Sequence, residues 1–296
     1  MGNGSKTKLG TWRRVLGLLL AWSLALPPSV PAMPPVPPTE LKKNTLDTFQ
    51  KYVDLTERRI GEEERTLKNF LWVDGQPEPA RTQLYQQLRN GQLVLQKMQT
   101  LDDGQEIKIK DGLIHHWLGV MFIPGAKMEQ ATAVTMDYDN HFITYKPDVA
   151  RSKLISRNGN DMRMMLRFSK KKVILVVVEV EQDVHFTPVD AQRAFLHAYS
   201  RRVQEVENPG EKDERLLPQG NDRGFLWHLY TYWRYEERDG GSYIQCESIT
   251  LTRDIPWILR AIIGPYIRGI PKESLEFVMT ATSAELRKRA STASAR

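Results

Sequence analysis

The residues with the clearest capacity for chemistry lie on one predicted β-hairpin, over residues 225–252. Asp239-Gly240-Gly241 is a strong turn signal between two runs rich in aromatic and β-branched residues. With a turn centred near Gly240, the alternation of side chains along paired strands predicts which residues share a face. That face is predicted to carry His228, Tyr230, Tyr232, Arg234, Gln245, Glu247, Ile249 and Leu251.

Two interpretations of this polar face remain open. If it lines a cavity, Arg234 and Glu247 form an internal ion pair beside the hydroxyls of Tyr230 and Tyr232. An unpaired charge would be costly there, and such polar groups on an apolar wall orient the head group of a ligand. If the face meets solvent instead, the pair is a cross-strand contact worth less than about 1 kcal/mol.

The histidines predict neither a metal site nor a cofactor. His115 and His116 are adjacent on a predicted strand, so their side chains point to opposite faces and cannot share one metal. His116 falls in register with the apolar residues of that strand and is either a hydrogen-bonded interior residue or a ligand contact. The separations along the sequence between the remaining histidines do not match those of metal ligands; these residues are His141, His185, His197 and His228.

No catalytic residue is predicted. Cys246 is the only cysteine, lies in the middle of a predicted strand and has no histidine at a recognisable spacing, which favours a buried and inert thiol. The sequence has no Gly-x-Ser-x-Gly motif, phosphate loop or dinucleotide fingerprint. A single cysteine also excludes disulfides within the chain.

The formal net charge of +6 is concentrated at the two ends of the chain. Residues 1–32 combine four basic residues, an apolar run over 15–26 and small residues up to Ala32. This pattern predicts a secretory signal peptide with cleavage near Ala32 and a periplasmic or secreted protein. The apolar run is too short to cross a bilayer of about 30 Å as a helix. A stiff proline-rich spacer over 33–38 follows it.

The body of the chain is almost neutral. Between residues 33 and 286 there are 34 basic and 36 acidic residues. A protein that binds nucleic acid without sequence preference needs a basic face, so no nucleic-acid partner is predicted. The densest basic run of the body, Lys170-Lys171-Lys172, lies between two apolar strands and is predicted to be a solvated turn.

The elements that must position these residues are helices at both ends and strands between them. Residues 39–89 form a helical arm, in which Phe49, Tyr52, Val53, Thr56 and Ile60 recur at helical spacing. Strands are predicted at 93–95 and 107–109 around an Asp102-Asp103-Gly104 turn, and at 113–122, 162–168, 173–180, 183–187 and 193–206. A short helix is predicted at 127–137.

The C-terminal part is predicted to form two helical segments. Pro256 begins one, Gly264-Pro265 ends it, and Pro271 begins a last helix with an apolar stripe. The stripe comprises Leu275, Val278, Met279, Thr282 and Leu286, and a disordered tail is predicted over 291–296. The apolar segment 255–263, with Trp257 and Ile258, is either a core helix or a gate over a cavity mouth hinged at Gly264 and Pro265.

Several blocks resemble START-like proteins, the superfamily of polyketide cyclases, coenzyme Q-binding proteins and lipid-transfer domains. They are Asp137-Tyr138-Asp139-Asn140-His141, Gly112-Leu113-Ile114-His115-His116-Trp117, Tyr232-Trp233-Arg234-Tyr235-Glu236-Glu237-Arg238-Asp239-Gly240-Gly241 and Ile270-Pro271-Lys272-Glu273-Ser274-Leu275. The match is closer to uncharacterised exported bacterial members and covers about 91–290. It implies an α+β helix-grip domain over 90–290, an antiparallel sheet curled around a long C-terminal helix. Such domains enclose a cavity for a sterol, lipid, quinone or polyketide.

These observations favour an exported, non-catalytic domain that binds a hydrophobic small molecule or lipid, with transient membrane contact. The expected ligand residues are His116, Tyr230, Tyr232, Arg234 and Glu247. The first alternative is a cyclase- or dehydratase-type enzyme in which Arg234, Glu247, Tyr230 and Tyr232 supply proton transfer and oxyanion stabilisation. The second is a structural or assembly protein of the cell envelope, with the arm at 39–89 binding a partner.

Overall fold

The computed structural model describes residues 36–172, 174–254 and 260–294, with the side chains of the last range described over 269–289. Residues from Pro37 onward belong to one compact unit and Val36 to a separate N-terminal one. The helices are α1 (Lys43–Thr66), α2 (Ala80–Arg89), α3 (Met128–Thr135), α4 (His141–Thr144) and α5 (Arg260–Ser294), with 3₁₀ turns at Trp72–Gly75 and Tyr138–Asn140. The strands are β1 (Thr39–Glu40), β2 (Val94–Lys97), β3 (Leu101–Asp102), β4 (Gln105–Glu106), β5 (Gly112–Pro124), β6 (Val149–Asn158), β7 (Asp161–Lys171), β8 (Leu175–Pro188), β9 (Arg193–Glu207), β10 (Arg215–Leu216), β11 (Asn221–Asp222), β12 (His228–Arg238) and β13 (Gly241–Arg253).

One large antiparallel sheet organises the molecule, in the strand order β2-β5-β13-β12-β9-β8-β7-β6, with β10 paired to β9. Most neighbours are consecutive along the chain and are joined by short turns. The exceptions are the pair of β9 and β12, which β10 and β11 separate along the chain, and the pairs formed by β5. β5 pairs with β2 and, over its whole length, with β13, and so joins the start of the sheet to its end. The solvated turn predicted at Lys170–Lys172 needs correction, because Lys170 and Lys171 are the last residues of β7 and only Lys172 follows the strand.

The C-terminal helix α5 packs on one face of this sheet. Leu275, Met279 and Leu286 of its predicted stripe are buried in the largest apolar cluster of the chain. A Cβ at Gly119 of β5 would lie 3.3 Å from Met279 Cγ, so the missing side chain allows the helix to approach the strand closely. The antiparallel sheet with a long terminal helix is the predicted helix-grip arrangement, which is confirmed.

The N-terminal arm covers the opposite face of the sheet. The predicted stripe of α1 is buried, with Phe49 and Ile60 packed against Tyr232 and Leu251 of the hairpin. The segment from the first 3₁₀ turn to α2 packs through Leu71, Val73 and Leu88 on the next part of the same face. The residues packed beneath that segment are Leu118, Val120, Phe122 and Tyr243. The prediction of helices lying against a larger body is therefore confirmed.

Two strand predictions need correction. The Asp102-Asp103-Gly104 turn forms, but it joins the two-residue strands β3 and β4, and β2 pairs with β5 rather than with 107–109. Ile107 and Ile109 instead pack beneath α1, where they bury apolar surface that a hairpin would leave exposed. The strands expected at 173–180 and 183–187 are one strand, β8, which pairs with β7 without a register shift. The bulge opposite Glu181 and Gln182 is at Arg201 of β9.

The C-terminal prediction of two helical segments is also wrong. α5 runs without a break through Gly264, Pro265 and Pro271 and continues to Ser294. A proline removes one backbone hydrogen bond, and the turns on either side sustain the helix. Trp257 and Ile258 of the predicted gate lie outside the described residues. In the three described ranges, no helix combines the length and apolar content needed to cross a membrane.

Candidate functional site

The hairpin of β12 and β13 has the predicted register. Tyr232 pairs with Glu247 and Arg234 pairs with Gln245, so the predicted polar residues do share one face. This face lies under α1, whereas α5 covers the other face, where Trp233, Tyr235, Ile244 and Cys246 point. The polar residues expected to line a cavity under the C-terminal helix are therefore on the side of the N-terminal arm.

Glu247 is the centre of a buried network of charges. Its side chain is 1% exposed, accepts a hydrogen bond from His116 Nε2 at 2.6 Å and forms an ion pair with Arg59 of α1. Burial by itself would raise the pKa of the Glu247 carboxyl, but the hydrogen bond from His116 and the nearby Arg59 outweigh it and lower the pKa to about 2. The group is thus an ionised acceptor at neutral pH.

Arg234 is equally buried and takes its partners from the arm. It donates to the carbonyl oxygen of Phe70 at 2.8 Å and forms an ion pair with Glu63 at 2.8 Å. The internal Arg234–Glu247 pair predicted from the sequence does not form, because each residue has a partner from the arm. The solvent-exposed alternative is also wrong, since Arg234 and Glu247 are both 1% exposed.

The other predicted ligand residues have partners on the same side. His116 Nδ1 lies 2.8 Å from Tyr52 Oη of α1, which confirms the interpretation of a hydrogen-bonded interior histidine. Tyr232 donates to Glu57 at 2.9 Å, and Tyr230 packs against the ring of Phe49. We call this set the arm network: Tyr52, Glu57, Arg59, Glu63, His116, Tyr232, Arg234 and Glu247. Its members are satisfied by one another, as buried ionic groups require.

The face under α5 has the opposite character. Its core is apolar and rich in methionine and aromatic side chains, among them Met121, Met162, Met164, Trp233, Tyr235 and Met279. Methionine adapts its shape to irregular contacts and suits a surface that accommodates a flexible apolar partner. Cys246 is buried here, and burial raises the pKa of its thiol well above the ordinary value, as expected for an inert cysteine.

Two polar atoms in this apolar region have no hydrogen-bond partner among the described residues, Tyr138 Oη and His141 Nε2. Their side chains are 3% and 5% exposed, and the two rings are in edge contact with centroids 5.1 Å apart. Neighbouring polar groups are satisfied: Tyr145 Oη lies 3.0 Å from Thr282 Oγ1 of α5. Thr250 Oγ1 of β13 also has no partner on this face, but Tyr138 Oη and His141 Nε2 are the pair whose rings touch.

One ring nitrogen of His141, Nε2, has no hydrogen-bond partner at this point. Burial lowers the pKa of its imidazole to about 4, so the ring is neutral at neutral pH. The backbone of Val134 and Thr135 interacts with the ring, and Nε2 is the ring nitrogen that has no hydrogen-bond partner among the described residues. Beside it, Tyr138 Oη can donate or accept. A single ligand hydroxyl that donates to His141 and accepts from Tyr138 would satisfy both atoms.

Sequence reasoning missed this pair. Both residues belong to the block Asp137–His141 that carries the START-like resemblance, but the spacing of the histidines gave no sign of a ligand contact. Their inward direction is set by the second 3₁₀ turn and α4, and by Asp137, whose carboxylate accepts from Arg289 of α5 at 2.7 Å. No group of three or more potential metal ligands occurs within the ranges that the structure describes.

No protein-family model and no curated protein matches the sequence. Among solved structures, the Zhui aromatase/cyclase from Streptomyces sp. R1128 is similar at 10% identity and a TM-score of 0.41, over 60% of this chain and 96% of that one. A STAR-related lipid transfer protein from Xanthomonas axonopodis matches at 15% identity and a TM-score of 0.36, over 66% and 98%. A START superfamily protein from Mycobacterium smegmatis matches at 10% and 0.39, over 60% and 97%. The likeness concerns architecture alone.

Proposed function

We propose that this protein holds a hydrophobic small molecule between the inner face of its sheet and α5, and performs no chemistry on it. The observation that carries the proposal is the pair of unpartnered atoms, Tyr138 Oη and His141 Nε2, inside an otherwise apolar region. Pockets for such ligands are mostly apolar and contain a few convergent polar groups that fix the orientation of the ligand.

The energetics support an occupant at this position. A buried polar atom without a hydrogen bond costs about 1–3 kcal/mol, and Tyr138 and His141 carry two such atoms side by side. A ligand hydroxyl or carbonyl would remove this cost while its apolar part contacts side chains such as Met164 and Met279. The neutral imidazole and the apolar surroundings favour an uncharged polar end on the ligand.

The cyclase-type alternative has less support. It gives proton transfer and oxyanion stabilisation to Arg234, Glu247, Tyr230 and Tyr232, and a carboxyl that acts as a general acid at neutral pH needs a raised pKa. The pKa of Glu247 is instead held at about 2, and its oxygen atoms are engaged by His116 and Arg59. The alternative of an envelope assembly protein loses its partner surface, because the apolar stripe of α1 packs against the sheet.

Native mass spectrometry of the protein purified from its own host, followed by solvent extraction, tests the proposal. We expect an apolar molecule to co-purify and to be lost or exchanged more readily from His141→Phe, which fills the place of the polar contact. Tyr230→Phe, on the arm side, is the matched control and should retain the ligand. Protein that carries no such molecule and takes up none from a broad panel of lipids, quinones and sterols would overturn the proposal.

We also propose that the chain is exported through residues 1–32. The basic start, the apolar run and the small residues before position 33 are what support it. N-terminal sequencing of the protein from fractionated host cells should find a mature chain that begins close to Met33, outside the cytoplasm. Recovery of an unprocessed chain from the cytoplasm would contradict export.

A further inference from the structure

One corner of the molecule exposes large apolar side chains. Phe142 and Ile143 of α4 are 42% and 59% exposed, and Ile155 of β6 is 46% exposed. Isolated apolar residues on a surface are ordinary, but adjacent ones on neighbouring elements form a patch. α4 is also the segment that points His141 inward, so this short helix presents its polar residue to the core and its apolar residues to the outside.

Two hydrogen bonds hold these elements together as one surface. The backbone N–H of Phe142 donates to Ser152 Oγ at 2.9 Å, and the N–H of Leu154 donates to Asp139 Oδ1 at 2.9 Å. α4 and the preceding 3₁₀ turn are therefore fastened along β6, which is the edge strand of the large sheet. The exposed residues of α4 and β6 thus face the same surroundings.

This surface is strongly basic, in contrast to the body of the chain. The cations of the segment 141–158 are all exposed, and none forms an ion pair with a described residue: Lys146, Arg151, Lys153 and Arg157. The single acid of the segment, Asp148, is neutralised by Lys170. The segment has a net charge of +3, or +2 with the exposed Asp139 that binds Leu154, whereas residues 33–286 together have −2. We call the exposed residues of α4 and β6 the basic corner.

Protection of a sheet edge does not account for the basic corner. Lysine and arginine on an edge strand discourage pairing with another chain, which would explain Arg151 and Lys153 alone. It would not place Phe142 and Ile143 in solvent on a helix beside them. Apolar side chains flanked by unpaired cations match a bilayer surface that bears negative charge, since one set enters the interface while the other meets phosphate groups.

We propose that the basic corner docks onto a bilayer containing anionic phospholipids. Phe142 and Ile143 enter the boundary between head groups and acyl chains, and Lys146 and Lys153 lie against the phosphates. This proposal does not depend on the bound ligand, because vesicle binding can be measured with or without it. It differs from the gate predicted at 255–265, since it uses residues of α4 and β6.

Flotation of the full chain with vesicles tests the proposal. We expect binding to phosphatidylcholine vesicles that contain phosphatidylglycerol, weak binding to phosphatidylcholine alone, and loss of binding at high salt. The double variant Lys146→Ala/Lys153→Ala should weaken binding about 25-fold, since each cation near the surface contributes about fivefold. Phe142→Ser/Ile143→Ser should weaken it at least about tenfold, also at low salt.

The matched controls are Lys212→Ala and Leu101→Ser, which change an exposed cation and an exposed apolar residue elsewhere. All variants keep residues 1–32, so a contribution from that segment is common to them. Equal losses in the controls, or unchanged binding in both corner variants, would overturn the proposal. So would binding of the basic corner to a polyglutamate peptide but to neither type of vesicle, which would indicate an acidic protein partner.

Discussion

The two faces of the sheet differ in how their polar groups are satisfied. Under α1, the buried side chains of Arg234 and Glu247 each form an ion pair with a residue of the arm. Under α5, the surroundings are apolar, yet Tyr138 Oη and His141 Nε2 are left without partners. The face that is richer in ionisable residues thus has its central charges paired, and the face with few polar groups is the one that we propose holds a ligand.

The two faces differ because one holds a helix of the same chain and the other, in our proposal, holds a separate molecule. A helix that stays in place can supply counter-charges of its own, so a buried ionic network is stable and fixes the position of the helix. A surface that receives a separate molecule must leave hydrogen-bonding capacity open until that molecule arrives. The proposed ligand site therefore rests on two adjacent polar atoms without partners and not on the number of polar residues.

Breaking the arm network should give the largest effect. Arg234→Ala removes the partner of Glu63 and of the Phe70 carbonyl, and leaves buried charge uncompensated. We expect the free energy of unfolding in urea to fall by about 3–5 kcal/mol. Arg202→Ala, which breaks a surface pair with Glu181, is the control and should cost less than about 1 kcal/mol. Equally small losses in both variants would show that the network does not fasten the arm.

The pH dependence of stability should separate the two faces. The pKa of Glu247 is lowered to about 2, so its contribution of about 3 kcal/mol is present above its unfolded pKa near 4.5 and is lost as pH falls to about 2. The pKa of His141 is lowered to about 4, because burial favours the neutral ring. The folded state therefore loses about 3 kcal/mol as pH falls from about 6.5 to about 4.

Single variants of Glu247 and His141 show which residue causes the loss of stability in each pH range. Glu247→Gln should flatten the unfolding free energy between about pH 4.5 and 2, and His141→Asn should flatten it between about pH 6.5 and 4. Denaturation measured across these pH ranges, each variant against the parent chain, provides the comparison. A profile for His141→Asn that matches the parent above pH 4 would contradict the buried, neutral imidazole.

Removing single hydroxyls should give the smallest effects, of opposite sign on the two faces. Tyr232→Phe removes a hydrogen bond to Glu57 and should lower the free energy of unfolding by about 1–2 kcal/mol. Tyr138→Phe removes an unpartnered atom and should raise the stability of the ligand-free protein by up to about 1 kcal/mol. The same variant should retain ligand less well. Destabilisation of the ligand-free protein by Tyr138→Phe would mean that its hydroxyl has a partner.

Much of the local structure could be predicted because it depends on periodicity. The pairing of Tyr232 with Glu247 follows from a two-residue repeat and a glycine turn, and the stripe from Phe49 to Ile60 follows from the helical repeat. The face that each helix covers could not be predicted, since both faces of the hairpin carry large side chains. The partners of Arg234 come from Glu63 and Phe70, more than 160 positions away.

Local sequence patterns also could not predict that α5 is continuous or where the proposed site beside it lies. Pro265 and Pro271 are strong local signals for an interruption, and a helix that packs along a sheet overrides them. The sequence alone determined the order of elements, the hairpin register, the burial of Cys246 and the nearly neutral body, because these depend on residue type and spacing. Only the tertiary structure decided which polar groups are satisfied, because each such group depends on which distant segment of the chain lies against it.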